Sequence, residues 1–364
     1  MNANLENQVL VSKWRRSIQA GLILVLIVVM LYIAYLFIGT IRAVYADQFG
    51  PVSDSIARVM PEIQQEASDA LGDSFDVFEE HIVPAWDGGR ANVLLLGVDQ
   101  RPCEESGNIS RTDTMILVSL DPETKSASML SFPRDLWVNI PTVGPNRLNA
   151  AHFFGDAYAY PGGGPALIKR TIQENFYVPV HYYVRINFDG FRRVVDTLDG
   201  IELVVEEPIW DDHYPTDDCQ YQTVQFDVGT HQVDGEQALM YARSRHYSSD
   251  FDRARRQQQV IFAIYDKTMS LTTLPRLPEL WAAKGEAVQT DLSFLESMKL
   301  ARLGTQIDRE NIRHGVIDES MTVNITTDKG WQVLDWHRDQ VAPLIEDLFG
   351  VSPDLSLETS DQDS

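Results

Sequence analysis

Five arginines fall within fourteen residues of this chain: Arg243, Arg245, Arg253, Arg255 and Arg256. A guanidinium is charged at every ordinary pH and donates in a planar fork that fits phosphate oxygens two at a time. Arg134 stands in Pro133-Arg134-Asp135, and Arg111 in Ser110-Arg111-Thr112-Asp113-Thr114. Their surroundings are acidic, with 30 Lys and Arg against 53 Asp and Glu and a formal net charge of −23. A nucleic-acid binder needs a broad basic field to displace counterions, so no nucleic-acid partner is expected and any anion site must be local. The plain alternative is a solvated helix face paired with Asp250 and Asp252. Arg243 and Arg245, two residues apart, instead resemble a strand or loop pair pointing to one side.

Two aspartates stand at the ends of expected strands: Asp99, after the apolar run 93–98, and Asp113, entering the run 114–120. Carboxylates at neighbouring strand ends suit Mg2+, a hard ion that takes one or two of them and fills its octahedron with water and phosphate oxygens. Aspartate is also common at turns, so the pair alone is a weak metal signal. The run Gly162-Gly163-Gly164 lacks the following Gly-Lys-Ser/Thr of a phosphate-cradling loop. The eight histidines show neither metal-ligand spacing nor an order that supports a Ser/His/Asp triad.

The elements that must position these residues alternate. Strands are expected over 93–98, 114–120 and 126–132, the last two joined as a hairpin by the turn Asp121-Pro122-Glu123-Thr124. Helices follow over 149–159 and from the glycine loop to 176, then strand 180–187, helix 188–198 and strand 201–205. Helices are expected from Asp234 and from Phe251, over 291–308 and over 329–348, with a strand over 312–317. This interleaving predicts an α/β fold, three αβα layers around a central mixed sheet, over residues 91–350. The tail 351–364, rich in Ser and Asp, reads as disordered.

Residues 20–38 are almost unbroken apolar sequence, long enough as a helix to cross a hydrocarbon core of about 30 Å. Lys13, Arg15 and Arg16 precede it, whereas Asp47, Asp54 and Glu62 follow. The positive-inside rule makes 1–16 a cytoplasmic tail, 17–42 a transmembrane anchor and the remainder extracytoplasmic. A cleaved signal peptide is the rival reading, since Val44-Tyr45-Ala46 would pass as a cleavage site, but such apolar regions span about 7–15 residues. Residues 43–90 have apolar positions at helical spacing, broken by Pro61 and Gly72, and read as a stalk: a spacer, or short helices packed on the domain, the membrane or a second copy. In that compartment the two cysteines, Cys103 and Cys219, form a bridge or remain two thiols.

Many of these strings occur together in a fixed order. Asn92-Val93-Leu94-Leu95-Leu96-Gly97-Val98-Asp99, Arg111-Thr112-Asp113-Thr114, Ser131-Phe132-Pro133-Arg134-Asp135 and Leu148-Asn149-Ala150-Ala151 are followed by Tyr182-Tyr183-Val184 and Asn187-Phe188-Asp189-Gly190-Phe191. Gly235-Glu236-Gln237-Ala238-Leu239, Tyr241-Ala242-Arg243-Ser244-Arg245 and Arg253, Arg256, Gln257 and Gln258 complete the series. This order resembles the LytR-CpsA-Psr family of bacterial cell-wall enzymes, in detail over about residues 90–270 and loosely to about 350. The resemblance implies a phosphotransferase of the polyisoprenyl-teichoic acid–peptidoglycan teichoic acid transferase type. Such an enzyme moves a glycopolymer with its linking phosphate from a polyprenyl pyrophosphate carrier to peptidoglycan.

By the same resemblance Asp99 and Asp113 hold magnesium, and Arg111, Arg134, Arg243, Arg245 and Arg253, with Gln257, meet the pyrophosphate. A further basic residue maps to Arg170 or, one place out of register, Lys169. Asp252 departs from the pattern, since a glycine commonly stands before this arginine. Two other functions share these features: a lipid pyrophosphatase with water as acceptor, and a non-catalytic envelope-associated regulatory or binding protein.

Overall fold

Val93, Leu94, Leu95 and Leu96 are apolar without alternation, which demands burial on both faces of a strand. They lie in β1 (Ala91–Val98), at the centre of the structure. The computed structural model describes residues 85–99, 112–245, 249–270 and 287–351. All fall in the unit His81–Ser364, and none in the unit Met1–Glu80. The expected anchor, the stalk up to residue 84, Cys103, Arg111 and the tail from 352 lie outside the described residues. Among the described residues no helix is long and apolar enough to cross a membrane.

β1 runs parallel to β6 (Tyr182–Ile186) and antiparallel to β2 (Thr112–Asp121), which pairs antiparallel with β3 (Ser126–Ser131). The outer strands are β11 (Val288–Thr290), antiparallel to β6, and β12 (Ile312–Val316), parallel to β3. The six-stranded order is therefore β11-β6-β1-β2-β3-β12, a mixed sheet. Leu94 and Leu96 enter a core with Leu167 and Ile172 of α2 (Gly163–Phe176) and Val341 and Ile345 of α7 (Arg338–Phe349). Val93 faces the other way, into a core with Leu300 of α6 (Phe294–Thr305). Helices on both faces make the expected three layers.

The expected β2–β3 turn forms, with Asp121 Oδ1 accepting the backbone N–H of Glu123 at 2.9 Å. α1 (Ala150–Ala157) leads to α2 through Gly162 and Gly163, whose φ values of 85° and 69° only glycine adopts cheaply. Outside the main sheet, α3 (Phe188–Thr197), α4 (Gly235–Arg243) and α5 (Asp250–Ser270) enclose a second core. β7 (Ile201–Val205) pairs there with β10 (Gly229–Val233), and β8 (Ile209–Pro215) with β9 (Tyr221–Phe226). Leu203, Tyr214, Phe226, Tyr241 and Val260 meet at its centre.

Three hairpins escape the sequence expectation. They are β8–β9, β4 (Trp137–Ile140) with β5 (Gly144–Arg147), and β13 (Thr322–Thr326) with β14 (Gln332–Trp336). The last replaces the start of the helix expected over 329–348. Val333 and Trp336 are buried, and the Trp336 ring lies 5.0 Å from that of Phe176. Tertiary packing therefore overrides a local pattern short enough to fit either period.

Candidate functional site

The site begins at an irregularity. Gly97 pairs with Thr114, but Val98 pairs with Thr112, so Asp113 is an extra residue on β2. A β-bulge of this kind re-aims a side chain at a strand end. Gly97 permits the close approach, because a Cβ there would stand 2.9 Å from Cβ of Thr114. Asp99 leaves β1 immediately beyond.

The chain leaving β3 carries Arg134 toward Asp113. Phe132 N–H donates to the Met115 carbonyl at 2.9 Å, and the Arg134 carbonyl accepts from Asn149 N–H at 3.1 Å, which fixes the loop. Arg134 Nη1 lies 3.0 Å from Asp113 Oδ2, and its Nε 3.2 Å from Asp250 Oδ2 and 3.5 Å from Asp135 Oδ2. Burial opposes the Arg134 charge, but the three carboxylates outweigh it and hold its pKa above the ordinary value.

The α4–α5 junction supplies the remaining cations. Asp234 and Gln237 form a capping box that starts α4. Arg243 ends that helix, with its guanidinium 3.8 Å from the centroid of the Phe188 ring, Nη1 donating to Tyr214 Oη at 3.0 Å and Nη2 3.5 Å from Asp99 Oδ2. The backbone then turns extended at Ser244 (φ −53°, ψ 133°). The two arginines are therefore not one strand-like pair: Arg243 comes off a helix end and meets Asp99, whereas Arg245 meets Asp250 at 3.5 Å. Arg245 N–H is held by Asp211 Oδ2 at 3.0 Å. Arg253, nearly buried, approaches the same Asp250 at 3.6 Å. Burial lowers the Arg253 pKa, as do the charges of Arg134 and Arg245, against the pull of Asp250 and Asp113.

Four expected cations and two expected carboxylates thus come together: Arg134, Arg243, Arg245 and Arg253 with Asp99 and Asp113. Residues 62–348 match the model of the LytR_cpsA_psr family. The chain belongs to that family. It is 37% identical to the TagU teichoic acid transferase of Oceanobacillus iheyensis over 205 residues, 56% of this chain and 59% of that protein. It is 35% identical to the TagT teichoic acid transferase of Bacillus subtilis over 212 residues, 57% of this chain and 62% of that protein. The regulatory protein MsrR of Staphylococcus aureus is 32% identical over 200 residues, 54% of this chain and 55% of that protein. The chain therefore spans about three fifths of the length of these curated relatives.

Among solved structures, TagT bound to LIIa-WTA superposes with a TM-score of 0.55 at 27% identity, over 74% of this chain and 94% of that one. A LytR-CPS2A-psr protein, YwtF (TagT), with bound octaprenyl pyrophosphate lipid gives a TM-score of 0.52 at 27% identity, again over 74% and 94%.

Neighbouring residues of α5 bond to the frame. Arg256 donates through Nε to the Tyr241 carbonyl at 3.3 Å and through Nη2 to the Ser244 carbonyl, placing a cation on the open carbonyls at the end of α4. Gln257 reaches the Ala242 carbonyl at 3.5 Å, and buried Gln258 ties α5 to Ser131 Oγ at 2.8 Å and the Gly315 carbonyl at 2.7 Å. Arg255 is the solvated pairing of the plain alternative, 2.8 Å from Asp252 and 3.3 Å from Glu319.

Arg170 binds Glu174 at 2.6 Å and Tyr160 Oη at 3.1 Å, and Lys169 binds Asp291 at 2.8 Å. Among the described residues no hydrogen bond or ion pair joins either residue to the arginine cluster. Cys219, in the β8–β9 loop, is disulfide-bonded, and the chain's other cysteine lies outside the described residues. Asp250 reads in the sequence as surface pairing and Phe188 only as part of a motif, and neither Asp211 nor Tyr214 stands out there. Asp211 and Tyr214 lie on a strand that was not foreseen, and no spacing pointed to them.

For magnesium, the available donors are the Asp99 and Asp113 carboxylates, one at a strand end and one raised by the bulge. Among the described residues no group of three His, Cys, Asp or Glu side chains gathers to hold a metal. Two hard oxygen donors beside an arginine cluster fit an ion that takes one or two carboxylates and completes its shell with other oxygen ligands.

Proposed function

We propose that this chain transfers a glycopolymer, with its linking phosphate, from a polyprenyl pyrophosphate carrier to peptidoglycan. The observation that carries the reading is the cluster in which Arg243 meets Asp99, Arg134 meets Asp113, and Arg134, Arg245 and Arg253 share Asp250. The names of the TagU and TagT relatives, and the octaprenyl pyrophosphate in the YwtF structure, support it.

Phosphoryl transfer depends chiefly on positioning and on stabilising charge at the phosphate oxygens. The four guanidiniums replace their carboxylate partners with pyrophosphate oxygens and align the bridging oxygen for departure. A peptidoglycan hydroxyl attacks the glycan-bearing phosphorus, the P–O–P bridge breaks, lipid phosphate leaves with the bridging oxygen, and the hydroxyl proton passes to water. Asp99 and Asp113 would hold magnesium, which supplies charge neutralisation on the phosphate when bound. Phe188 and Tyr214 keep Arg243 in place, and Asp211 and Arg256 hold the turn between α4 and α5. The apolar segment 20–38 would tether the domain outside the membrane, where a carrier whose lipid stays in the bilayer is within reach.

The test incubates the full chain with a polyprenyl-pyrophosphate-linked glycan, Mg2+ and peptidoglycan. Covalent glycan on the wall polymer is the expected product. Free phosphate alone would make the chain a lipid pyrophosphatase, and no product would leave a binding role.

A further inference from the structure

The arginine cluster is assembled from two sides of the molecule. The main sheet presents Asp99, Asp113 and, three residues beyond the end of β3, Arg134. The second core presents Arg243, Arg245 and Arg253 at the α4–α5 junction. The spacing of the guanidiniums therefore depends on how one side is held against the other.

α5 carries both Arg253 and Gln258. Five residues along a helix is about 7.5 Å of rise and about 140° of rotation, so the two side chains leave α5 in different directions, Arg253 toward Asp250 and Gln258 toward the sheet. Gln258 is 2% exposed, and its Nε2 donates to Ser131 Oγ of β3 at 2.8 Å and to the Gly315 carbonyl of β12 at 2.7 Å. A carbonyl can only accept, which fixes the orientation of the amide and leaves Oε1 to accept from His314 Nδ1–H at 3.1 Å. Four residues further along α5, the Phe262 ring meets the His314 ring in a T-shaped contact at 5.1 Å. One neutral side chain thus joins the helix of Arg253 to the last residue of the strand that leads to Arg134.

Two ion pairs also cross between the sides, Arg134 with Asp250 at 3.2 Å and Arg243 with Asp99 at 3.5 Å. Both lie in the site itself and are given up when pyrophosphate takes the guanidiniums. The bonds of Gln258 involve no guanidinium and stay in place through that exchange.

We infer that Gln258 is a positioning residue for the transfer, whose amide keeps Arg253 and Arg134 at a fixed spacing while their carboxylate partners are displaced. The inference rests on the transferase reading for the step it serves. A misplacement of about 1 Å in a reacting constellation costs on the order of a hundredfold in rate, and a residue outside the site controls it through the element that carries the site.

The test uses the full chain. Gln258→Met keeps the side-chain length and removes all three hydrogen bonds. Ser131→Ala removes one of them and decides the matter where Gln258→Met does not fold. Val260→Ala, on the same helix and buried in the second core, is the control for lost packing. Gln258→Met should lower glycan-transfer kcat about ten- to a hundredfold and weaken inorganic pyrophosphate binding about three- to tenfold, with Ser131→Ala lowering each about three- to fivefold. Val260→Ala should lower the melting temperature yet leave kcat and pyrophosphate affinity within about twofold of wild type. Values equal to wild type in Gln258→Met, or in Ser131→Ala where Gln258→Met does not fold, would overturn the positioning role, as would losses that Val260→Ala reproduces. If wild type transfers nothing but Gln258→Met still weakens pyrophosphate binding, the transferase reading fails and the positioning role stands. If wild type and Gln258→Met transfer equally well, the positioning role fails and the transferase reading stands. A wild type that neither transfers glycan nor binds pyrophosphate overturns both.

Discussion

Two ion clusters in this chain have opposite stoichiometry. At the α4–α5 junction one carboxylate, Asp250, is shared by Arg134, Arg245 and Arg253 at 3.2, 3.5 and 3.6 Å. Under the β8–β9 hairpin one guanidinium, Arg192, is held by Asp189, Asp217 and Glu236 at 2.9, 2.8 and 2.5 Å. A fork with five donors is satisfied by three short carboxylate contacts, whereas one carboxylate divided among three arginines offsets only part of their combined charge. The first arrangement is ready to exchange its internal counter-ion for an incoming anion, and the second is already complete. Composition alone, with arginine and aspartate in both, does not separate them.

The comparison is broken most severely at Arg243. Arg243→Ala should lower glycan-transfer kcat by about 10²–10³-fold, the scale for losing one charge-stabilising donor, while circular dichroism stays unchanged. Arg192→Met should leave kcat within about tenfold. It strands three partly exposed acids, so unfolding free energy should fall by about 1–2 kcal/mol and the melting temperature by about 3–6 °C in calorimetry.

Asp250→Asn removes the shared counter-ion and should raise inorganic pyrophosphate affinity about three- to tenfold at low salt, by titration calorimetry. Asp217→Asn should not change it. The smallest effect concerns Asp252, two residues from Asp250 but committed locally. Burial opposes its ionisation, yet hydrogen bonds from Ser249 and the charge of Arg255 hold its pKa below the ordinary value. A depressed folded pKa adds stability above about pH 4 that is lost as pH falls below it. Asp252→Asn should therefore flatten the acid limb of the stability profile without altering pyrophosphate binding.

Much of this was legible in the sequence, for identifiable reasons. β1 announces itself because its apolar run is unbroken, β2 and β3 because the turn Asp121-Pro122-Glu123-Thr124 joins them as a hairpin, and α4 because Asp234 and Gln237 spell out its cap. Arg134, Arg243, Arg245 and Arg253 were legible as an anion trap because they are dense in an acidic chain. What was hidden depends on contacts distant in sequence. Asp113 gains its position from a register shift against Gly97, which no local pattern records. Asp211 and Tyr214 sit in Trp210-Asp211-Asp212-His213-Tyr214, too acidic to read as a strand, yet they pin Arg245 and Arg243. Arg256, one of the five closely spaced arginines, is a clamp on the end of α4.

The central claim is that the α4–α5 junction, and not the arginine content as such, binds the pyrophosphate of the carrier lipid. The direct measurement is the affinity of detergent-solubilised polyprenyl pyrophosphate for the wild-type chain, Arg243→Ala and Arg192→Met under one buffer and salt condition. The account predicts at least a tenfold loss of affinity for Arg243→Ala and none for Arg192→Met. Equal affinity in all three, or a loss confined to Arg192→Met, would contradict it.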